Sequence, residues 1–288
     1  MLLTKILILG AAGMLGNAAY RLFATSPGFD VVGTIRGGAP AGLVSQGATA
    51  RLLSDVNATD QDRLIRVMGE TRPDVVINCV GVVKQLSAAK DPLVSITLNS
   101  LLPHRLAELC AAAGARLVHV STDCVFDGRK GDYKETDPSN AEDLYGKSKF
   151  LGEVDYPNAI TLRTSIIGHE LNSAHSLVDW FLNQQGPAVK GYRKAIYTGL
   201  PTVELARVIR DVVIPRPELR GLWHVAADKI NKFELLKLVA QEYGKAIDIV
   251  PDDAVAIDRS MDGSRFQAAT GYVAPAWPEL IARMRAAR

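Results

Sequence analysis

Short apolar runs alternate with longer segments of helical periodicity over the first part of the chain. Runs such as "VVIN" and "LVHV" are apolar on both faces, which is typical of parallel strands covered by helices on both sides. The pattern predicts strands at residues 5–9, 31–35, 51–53, 75–79, 117–121 and 160–163, and helices near residues 14–25, 60–69, 92–113 and 143–154. This alternation predicts an α/β fold with a doubly wound parallel sheet.

The composition is that of an ordinary globular protein, with 288 residues, 48% hydrophobic, 22% charged and a formal net charge of +2. This balance supports a sizeable core and does not require a polyanionic partner, so nucleic-acid binding is not expected. No segment approaches about 18 uninterrupted apolar residues, so no membrane contact is expected. Three cysteines, Cys79, Cys110 and Cys124, lack disulfide or metal-ligand spacing. We therefore expect no metal and a reducing, cytoplasmic location.

The stretch "ILILGAAGMLGNAAYRL" places Gly10, Gly13 and Gly16 between the first strand and the first helix. In this position Gly10 permits a tight turn, Gly13 lets the backbone approach a pyrophosphate, and Gly16 allows close packing of helix and strand. The amides that begin the helix, at Met14 and Leu15, would face the phosphates. The spacing is GxxGxxG rather than GxGxxG, so a glycine-rich turn without a ligand stays an alternative.

These features divide the chain into two expected parts. Residues 1–165 are predicted to form a Rossmann-type NAD(P)-binding domain that also carries the catalytic residues. Residues 166–288 contain many prolines and shorter elements, and are predicted to form mainly a smaller α/β substrate-binding subdomain. Some of its segments are expected to return to the first domain.

The second strand bears on the choice of dinucleotide. Asp30 precedes the strand "VVGTI" and lies at its wrong end, whereas Arg36 follows the strand. A guanidinium group there matches a phosphate and favours NADPH, with NADH left possible; a solvated charge is the alternative. Asp55 could accept a hydrogen bond from the adenine amine or could cap the next helix.

Two hydroxyl-bearing segments point to redox chemistry on a carbonyl or alcohol. Tyr145 and Lys149 are four residues apart on a predicted helix, so both side chains project from one face. An adjacent ammonium group would lower the phenol pKa from its usual value of about 10. Ser121 and Thr122 follow a buried strand, at the edge where active sites of such sheets gather. The charged stretch between the two segments, residues 127–143, is predicted to be mostly a solvated loop.

The motifs "GAAGMLG", "STDCVFDG" and "YGKSKFLGE" together resemble the extended short-chain dehydrogenase/reductases, and specifically their dTDP-4-dehydrorhamnose reductase-like branch. The resemblance spans nearly the whole chain. It implies NADPH-dependent reduction of a 4-keto nucleotide-activated deoxysugar, in deoxysugar or surface polysaccharide biosynthesis. By this resemblance Thr122, Tyr145 and Lys149 are catalytic: Tyr145 supplies the proton, and Lys149 binds the nicotinamide ribose and lowers the phenol pKa.

The resemblance also implies a set of binding residues. The helix residue Asn99 would help to hold a water near Lys149, or would only bend or cap its helix. The expected cofactor contacts are Gly10, Gly13, Met14, Leu15, Arg36, Asp55, Val80, Gly81, Asn99, Ser121, Tyr145 and Lys149. The expected substrate contacts are Lys84, Thr122, Cys124, Val125 and Tyr145. Further contacts to the diphosphate, or else structural charges, are Lys84, Arg163, Lys190, Arg193 and Lys194.

One departure from the branch concerns the sugar. Cys124 stands where the branch usually has a tyrosine, and a smaller side chain there suggests a different deoxysugar or an N-acylated one. Sugar 4,6-dehydratases are disfavoured because their Asp-Glu pair is replaced by Asp123 and Cys124. An epimerase of the same superfamily stays open, as does a non-catalytic NADP-binding regulatory subunit like the relative that serves methionine adenosyltransferase. A homodimer is possible.

Overall fold

The computed structural model describes residues 3–40, 42–43, 50–82, 87–171 and 173–288. Its strands are β1 Thr4–Leu9, β2 Phe29–Thr34, β3 Ala50–Leu53, β4 Val75–Asn78, β5 Arg116–Thr122, β6 Ala159–Thr164, β7 Ile166–Ile167, β8 Ala188–Tyr192, β9 Ala195–Tyr197, β10 Leu200–Pro201, β11 Gly221–His224, β12 Ile230–Asn231, β13 Asp248–Asp252 and β14 Ile257–Asp258. Its helices are α1 Met14–Ala24, α2 Gln61–Thr71, α3 Pro92–Ser95, α4 Leu102–Ala113, α5 Leu144–Leu151, α6 Leu177–Leu182, α7 Thr202–Val208, α8 Lys232–Tyr243, α9 Ser264–Thr270 and α10 Trp277–Ala286.

Seven parallel strands form the central sheet, in the order β11-β6-β5-β4-β1-β2-β3. The order reverses next to β1, because the chain moves outward from β1 in both directions. The predicted α/β fold with a doubly wound parallel sheet is therefore confirmed. The six predicted strands correspond to β1 to β6, each within two residues at either end.

The core lies in two layers, one on each face of the sheet. On β1, Ile6 and Ile8 join a cluster with α1 and α7, while Leu7 and Leu9 join a second cluster with α2 and α4. All four side chains are buried. Burial of such a side chain contributes about 1.5–3 kcal/mol, so the alternating faces of one strand hold both helical layers in place.

The predicted helix at residues 92–113 contains an interruption. Asp91 caps α3 by accepting hydrogen bonds from Leu93 N and Val94 N, and α3 passes into α4 through a π-helical segment, Ile96–Leu101. A π segment inserts extra backbone into a helix and is common at functional sites. In this chain it carries Asn99.

Residues after 165 contribute both to the central sheet and to smaller sheets. β11 pairs in parallel with β6 at the edge of the central sheet. The smaller sheets join β8 with β13, β9 with β12 and β14, and β7 with β10. None of the helices in the described part of the chain is long and apolar enough to cross a membrane.

The charged stretch after β5 is mostly exposed or half-buried, as the sequence predicts, but a buried aromatic residue anchors it. Tyr133 is buried and stacks on Phe126, with ring centroids 4.0 Å apart. Its hydroxyl group donates to Asp127 and accepts from the amides of Gly128 and Lys130. The backbone of Tyr133 also bonds with Ser260 and Asp262 of the C-terminal part. This loop therefore connects the strand end at Thr122 to the remainder of the fold.

Candidate active site

The glycine turn after β1 brings backbone groups to the start of α1. Gly10 has a φ of +82°, which favours glycine. A β-carbon at Gly16 would lie 2.1 Å from the carbonyl oxygen of Gly10, so only glycine lets α1 begin this close to the strand. Gly13 precedes α1 without a side-chain cap, and the first-turn amides of Met14 and Leu15 have no partner within the helix. The turn therefore offers donors to an anionic group.

The ends of β2 and β3 lie at the same edge of the sheet as the glycine turn. Thr34 accepts a hydrogen bond from Gly10 N at 3.3 Å, Ile35 is buried, and Arg36 is exposed just beyond the strand. Asp55 is exposed with a φ of +57°. The capping alternative for Asp55 is wrong, because Asp60 caps α2 by accepting from Arg63 N.

Asn99 fixes the loop that follows β4. Its Oδ1 accepts from Val82 N at 2.9 Å, and its Nδ2 donates to Val82 O and to Ser148 Oγ, both at 3.2 Å. The loop includes the expected cofactor residues Val80 and Gly81. The amide thus holds this loop against α5, a role that neither sequence alternative included.

Thr122 and Tyr145 meet at the end of β5. The Tyr145 hydroxyl group lies close to the hydroxyl group of Thr122, which donates to Asp123 Oδ1 and accepts from Cys124 N, both at 3.2 Å. Gly146 makes this approach possible, since a β-carbon there would lie 2.2 Å from the carbonyl oxygen of Cys124. The strand-end hydroxyl and the helix phenol, which are 23 positions apart in sequence, can therefore contact one substrate oxygen.

The pKa of Tyr145 changes in the direction opposite to the sequence prediction. Burial of the hydroxyl group raises this pKa above its usual value, and the nearby Thr122 hydroxyl group opposes the rise only in part. Neighbouring Cys124 and Asp123 also raise it. The phenol is therefore neutral near pH 7 and carries the proton that a carbonyl reduction requires.

Lys149 is buried one turn after Tyr145, and its Nζ donates to the carbonyl oxygen of Val120 at 2.8 Å. Burial lowers the pKa of Lys149 to about 8, and the nearby carboxylate of Glu153 opposes this shift. The Lys149 ammonium group is therefore present at neutral pH and is lost as the pH rises through about 8.

The expected substrate contacts divide into three groups. Cys124 is partly exposed beside the two hydroxyl groups, with its Sγ 3.6 Å from Arg259 Nη1. The side chain of Val125 is fully buried with Phe126 and Tyr133, so a contact with substrate at this position stays a prediction for its backbone. Lys84 lies outside the described residues. Among the expected cofactor contacts, Ser121 uses its hydroxyl hydrogen to donate to Glu153, so this hydroxyl group is left only as an acceptor for a ligand.

Several candidate phosphate contacts are engaged in ion pairs. Arg163 is buried and paired with Glu153. Lys190 pairs with Asp252, and Arg193 pairs with Asp253. Lys194 lies farther from Asp253, at 4.0 Å. These contacts favour the structural alternative for all four residues.

The sequence predicts no contact role for two charged residues that lie near the phenol. Asp123 is buried, and burial raises its pKa while Arg259 opposes the rise. Arg259 also donates to the carbonyl oxygen of Phe126 at 2.9 Å. The position of Asp123 next to Thr122 is a signal that could have identified it. Arg259 is separated from Cys124 by 135 residues, and no local pattern links the two. Within the described ranges, no cluster of His, Cys, Asp and Glu is arranged to hold a metal ion.

Comparison with known proteins places this site in a family. A family model described as RmlD substrate binding domain matches residues 4–287. Methionine adenosyltransferase 2 subunit beta from Danio rerio is 27% identical over 252 residues, which cover 83% of this chain and 74% of that protein. The dTDP-4-dehydrorhamnose reductase of Mycobacterium tuberculosis H37Rv is 40% identical over 101 residues, which cover 32% of this chain and 33% of that protein.

A solved structure shows the same fold over the full length. The dTDP-4-dehydrorhamnose reductase of Bacillus anthracis Ames, in complex with NADP, superposes with a TM-score of 0.81 at 20% identity, covering 100% of both chains. The match of the family model over residues 4–287 shows that this chain belongs to the RmlD substrate binding domain family.

Proposed function

We propose that this chain is an NADPH-dependent reductase of a 4-keto deoxysugar carried on a nucleotide. The observation that carries the proposal is the proximity of the Thr122 and Tyr145 hydroxyl groups, with Lys149 buried one turn further along the same helix. This arrangement suits proton donation to a carbonyl oxygen. Membership of the RmlD family and the M. tuberculosis reductase among its relatives support the nucleotide-sugar substrate.

The residues around the glycine turn fit a dinucleotide. Gly10 and Gly16 keep the turn clear of side chains, and the first-turn amides of α1 supply donors for a pyrophosphate. Exposed Arg36 at the end of β2 supplies a cation for a 2′-phosphate. When bound, NADPH supplies the hydride that reduces the carbonyl carbon.

The side chains of the protein bind the carbonyl oxygen and supply its proton. Thr122 and Tyr145 hold the carbonyl oxygen, and Tyr145 transfers its proton to that oxygen as the carbon receives the hydride. Lys149 places its positive charge near the phenolate that remains until a proton returns from solvent. The products are the sugar alcohol and the oxidised dinucleotide.

A substrate screen tests the reductase proposal. We expect 4-keto UDP-, dTDP- or GDP-sugars to cause oxidation of NADPH, followed by absorbance, and Tyr145→Phe to lose about 10²–10⁴-fold in turnover, because general acid catalysis contributes that much. NADPH binding by fluorescence is the control for an intact cofactor site. Undiminished turnover in Tyr145→Phe would contradict the assignment.

The identity of the sugar depends on the pocket beside Cys124. The Cys124 side chain is smaller than a tyrosine, and the Arg259 guanidinium group lies 3.6 Å from its Sγ. We propose that the substrate is a deoxysugar different from dehydrorhamnose, or an N-acylated one. The product's configuration, determined by NMR, separates simple reduction from reduction coupled to epimerisation.

A regulatory subunit is the second candidate. The observation that favours it is the long alignment with Methionine adenosyltransferase 2 subunit beta, over 83% of this chain. The intact set of Thr122, Tyr145 and Lys149 favours the enzyme. Stoichiometric co-purification with a partner, together with no NADPH oxidation across the sugar panel, would reverse this preference.

We further propose that the chain forms a homodimer and is located in the cytoplasm. Apolar side chains are exposed on adjoining segments of α3, the π segment, and α5: Leu93, Ile96, Leu101, Phe150 and Leu151. Contiguous exposed apolar surface favours association. Light scattering should give twice the mass of one chain, and Leu151→Glu should reduce it, whereas Val273→Glu, at another exposed apolar position, should not.

A further inference from the structure

Glu153 occupies a fixed position behind the active-site lysine. It follows α5, and it contacts Ser121 while Lys149 Nζ donates to the carbonyl oxygen of the preceding residue, Val120, so both charged groups lie beside the end of β5. Its Oε1 accepts from Ser121 Oγ at 2.6 Å and from Arg163 Nε at 2.8 Å. Its Oε2 pairs with Arg163 Nη2. Two strands, β5 and β6, therefore hold this carboxylate in place.

The side chain of Arg163 is also fixed by contacts with Phe126 and His224. It is buried, its guanidinium carbon lies 5.0 Å from the centre of the Phe126 ring, and its Nη1 contacts His224 Nε2 at 2.9 Å. Burial, followed by the charge of Arg163, lowers the pKa of His224 to about 3, so this imidazole is neutral near pH 7. Its Nε2 therefore accepts from Arg163, and its Nδ1 donates to Tyr133 O at 3.1 Å. The Glu153 carboxylate cannot turn away from Lys149 without breaking this network.

The surroundings of Lys149 otherwise disfavour an ammonium group. The groups that face it include the carbonyl oxygen of Val120 and, also from β5, the imidazole of His119. Burial lowers the pKa of His119 well below its usual value, so this ring is neutral. The Tyr145 phenol is neutral as well. The negative charge that acts on Lys149 is the carboxylate of Glu153.

We propose that Glu153, held by Arg163 and Ser121, is a positioning residue that keeps the buried side chain of Lys149 in its charged form at the active site. Its role in turnover rests on the proposed reductase function, whereas its effect on the charge of Lys149 does not. The network of Arg163 and His224 sets where the carboxylate lies. Glu153 acts through Lys149 and not on substrate.

The charge of Lys149 can be measured directly in the protein without substrate. In protein labelled with [ε-¹³C]lysine, the NMR signal of Lys149 should titrate near pH 8, and its absence in Lys149→Arg assigns it. In Glu153→Gln we expect the midpoint to fall by about one pH unit, because an opposite charge is removed and the charge of Arg163 is left unopposed. Glu153→Asp, which keeps the charge, should retain most of the wild-type midpoint.

Glu204 provides a matched control. It is a buried carboxylate on α7, paired with Arg283 at 2.6 Å and hydrogen-bonded to Tyr272, and it does not face Lys149. Glu204→Gln should disturb the fold to a similar degree and leave the Lys149 midpoint unchanged. A wild-type midpoint in Glu153→Gln would overturn the proposal, as would equal shifts in the two variants.

Two further measurements distinguish a failure of the Glu153 proposal from a failure of the variant to fold and from a failure of the reductase proposal. If Glu153→Gln does not fold, the double variant Glu153→Gln, Arg163→Met removes both charges, and we expect a smaller downward shift; no shift would overturn the proposal. In an active enzyme, the high-pH limb of kcat/KM should move downward together with the NMR midpoint. An NMR shift in a protein that reduces no sugar nucleotide would uphold the role of Glu153 and contradict the reductase function.

Discussion

We propose that Arg36 favours NADPH over NADH. Its guanidinium group is exposed at the end of β2, next to a strand whose last residues are buried. An exposed cation at this edge has no packing role, so its removal should affect a bound phosphate and little else. The position follows from the strand pattern alone, and Asp30 lies at the opposite end of the same strand.

Replacement of Arg36 by alanine should therefore discriminate between the two dinucleotides. We expect the KM for NADPH to rise about 10- to 100-fold, the cost of losing a hydrogen bond to a charged group, and the KM for NADH to change little. Steady-state kinetics with both dinucleotides measure this. Arg66→Ala, at an exposed position on α2, is the control. Equal effects on both dinucleotides would show that Arg36 does not contact the 2′-phosphate.

Local spacing determines which active-site residues are predictable. Tyr145 and Lys149 are recognisable because helix geometry places residues four apart on one face. Arg259 and the pair of Arg163 with His224 are not, because their contacts join positions 135 and 61 residues apart. For Val125, the place after a strand end does not show that its side chain turns into the core.

At the scale of elements, two glycines position α5. A β-carbon at Gly146 would lie 2.2 Å from the carbonyl oxygen of Cys124, and one at Gly152 would lie 1.9 Å from that of Asn99. The helix that carries Tyr145 and Lys149 is therefore pressed against the strand-end turn at one end and against the π segment at the other. A larger residue at either position must displace the helix.

We predict that Gly146→Ala moves α5 away from Thr122. The free energy of unfolding should fall by about 1–3 kcal/mol, as in other overpacked cores, and turnover should fall with it. Gly69→Ala is the control, because a β-carbon at this α2 glycine would have no atom within 4 Å, and it should stabilise the protein by about 0.5–1 kcal/mol. Denaturant unfolding and NADPH oxidation measure both effects. A fully active, equally stable Gly146→Ala would refute close packing at this position.

The elements themselves are more predictable from the sequence than their interruptions. Buried β-branched runs mark β1, β2, β4, β5 and β6, whereas β3, at the sheet edge, is only partly buried. The π segment at Ile96–Leu101 leaves no such mark, since its residues are ordinary for a helix. The composition of the loop after β5 predicts a solvated segment because charged residues dominate it, although one aromatic residue, Tyr133, organises its backbone.

At the scale of the whole molecule, the two halves of the chain share one sheet. β11 covers the edge of β6, and Arg116 on β5 donates to the carbonyl oxygens of Val213 and Leu219. The division at residue 165 stays a prediction about binding roles. In folding, the contacts across it favour a single cooperative unit.

A chain of residues 1–165 should consequently fail to fold by itself. It would expose the edge of β6 and leave Arg163 without His224. We expect weak far-UV circular dichroism and no sharp thermal transition for this fragment, against one sharp transition for the whole chain. A fragment that melts cooperatively would indicate an independent first domain.

The loop held by Tyr133 has a consequence for proteolysis. Its sequence, with Arg129, Lys130 and Lys134 on an exposed connection, is the kind that trypsin usually cleaves first. Hydrogen bonds from the Tyr133 ring and backbone fix the chain on both sides of these residues. A protease can bind this segment only after local unfolding, which also separates it from the C-terminal part. The rate of cleavage at this loop therefore reports how often the end of β5 loses its support.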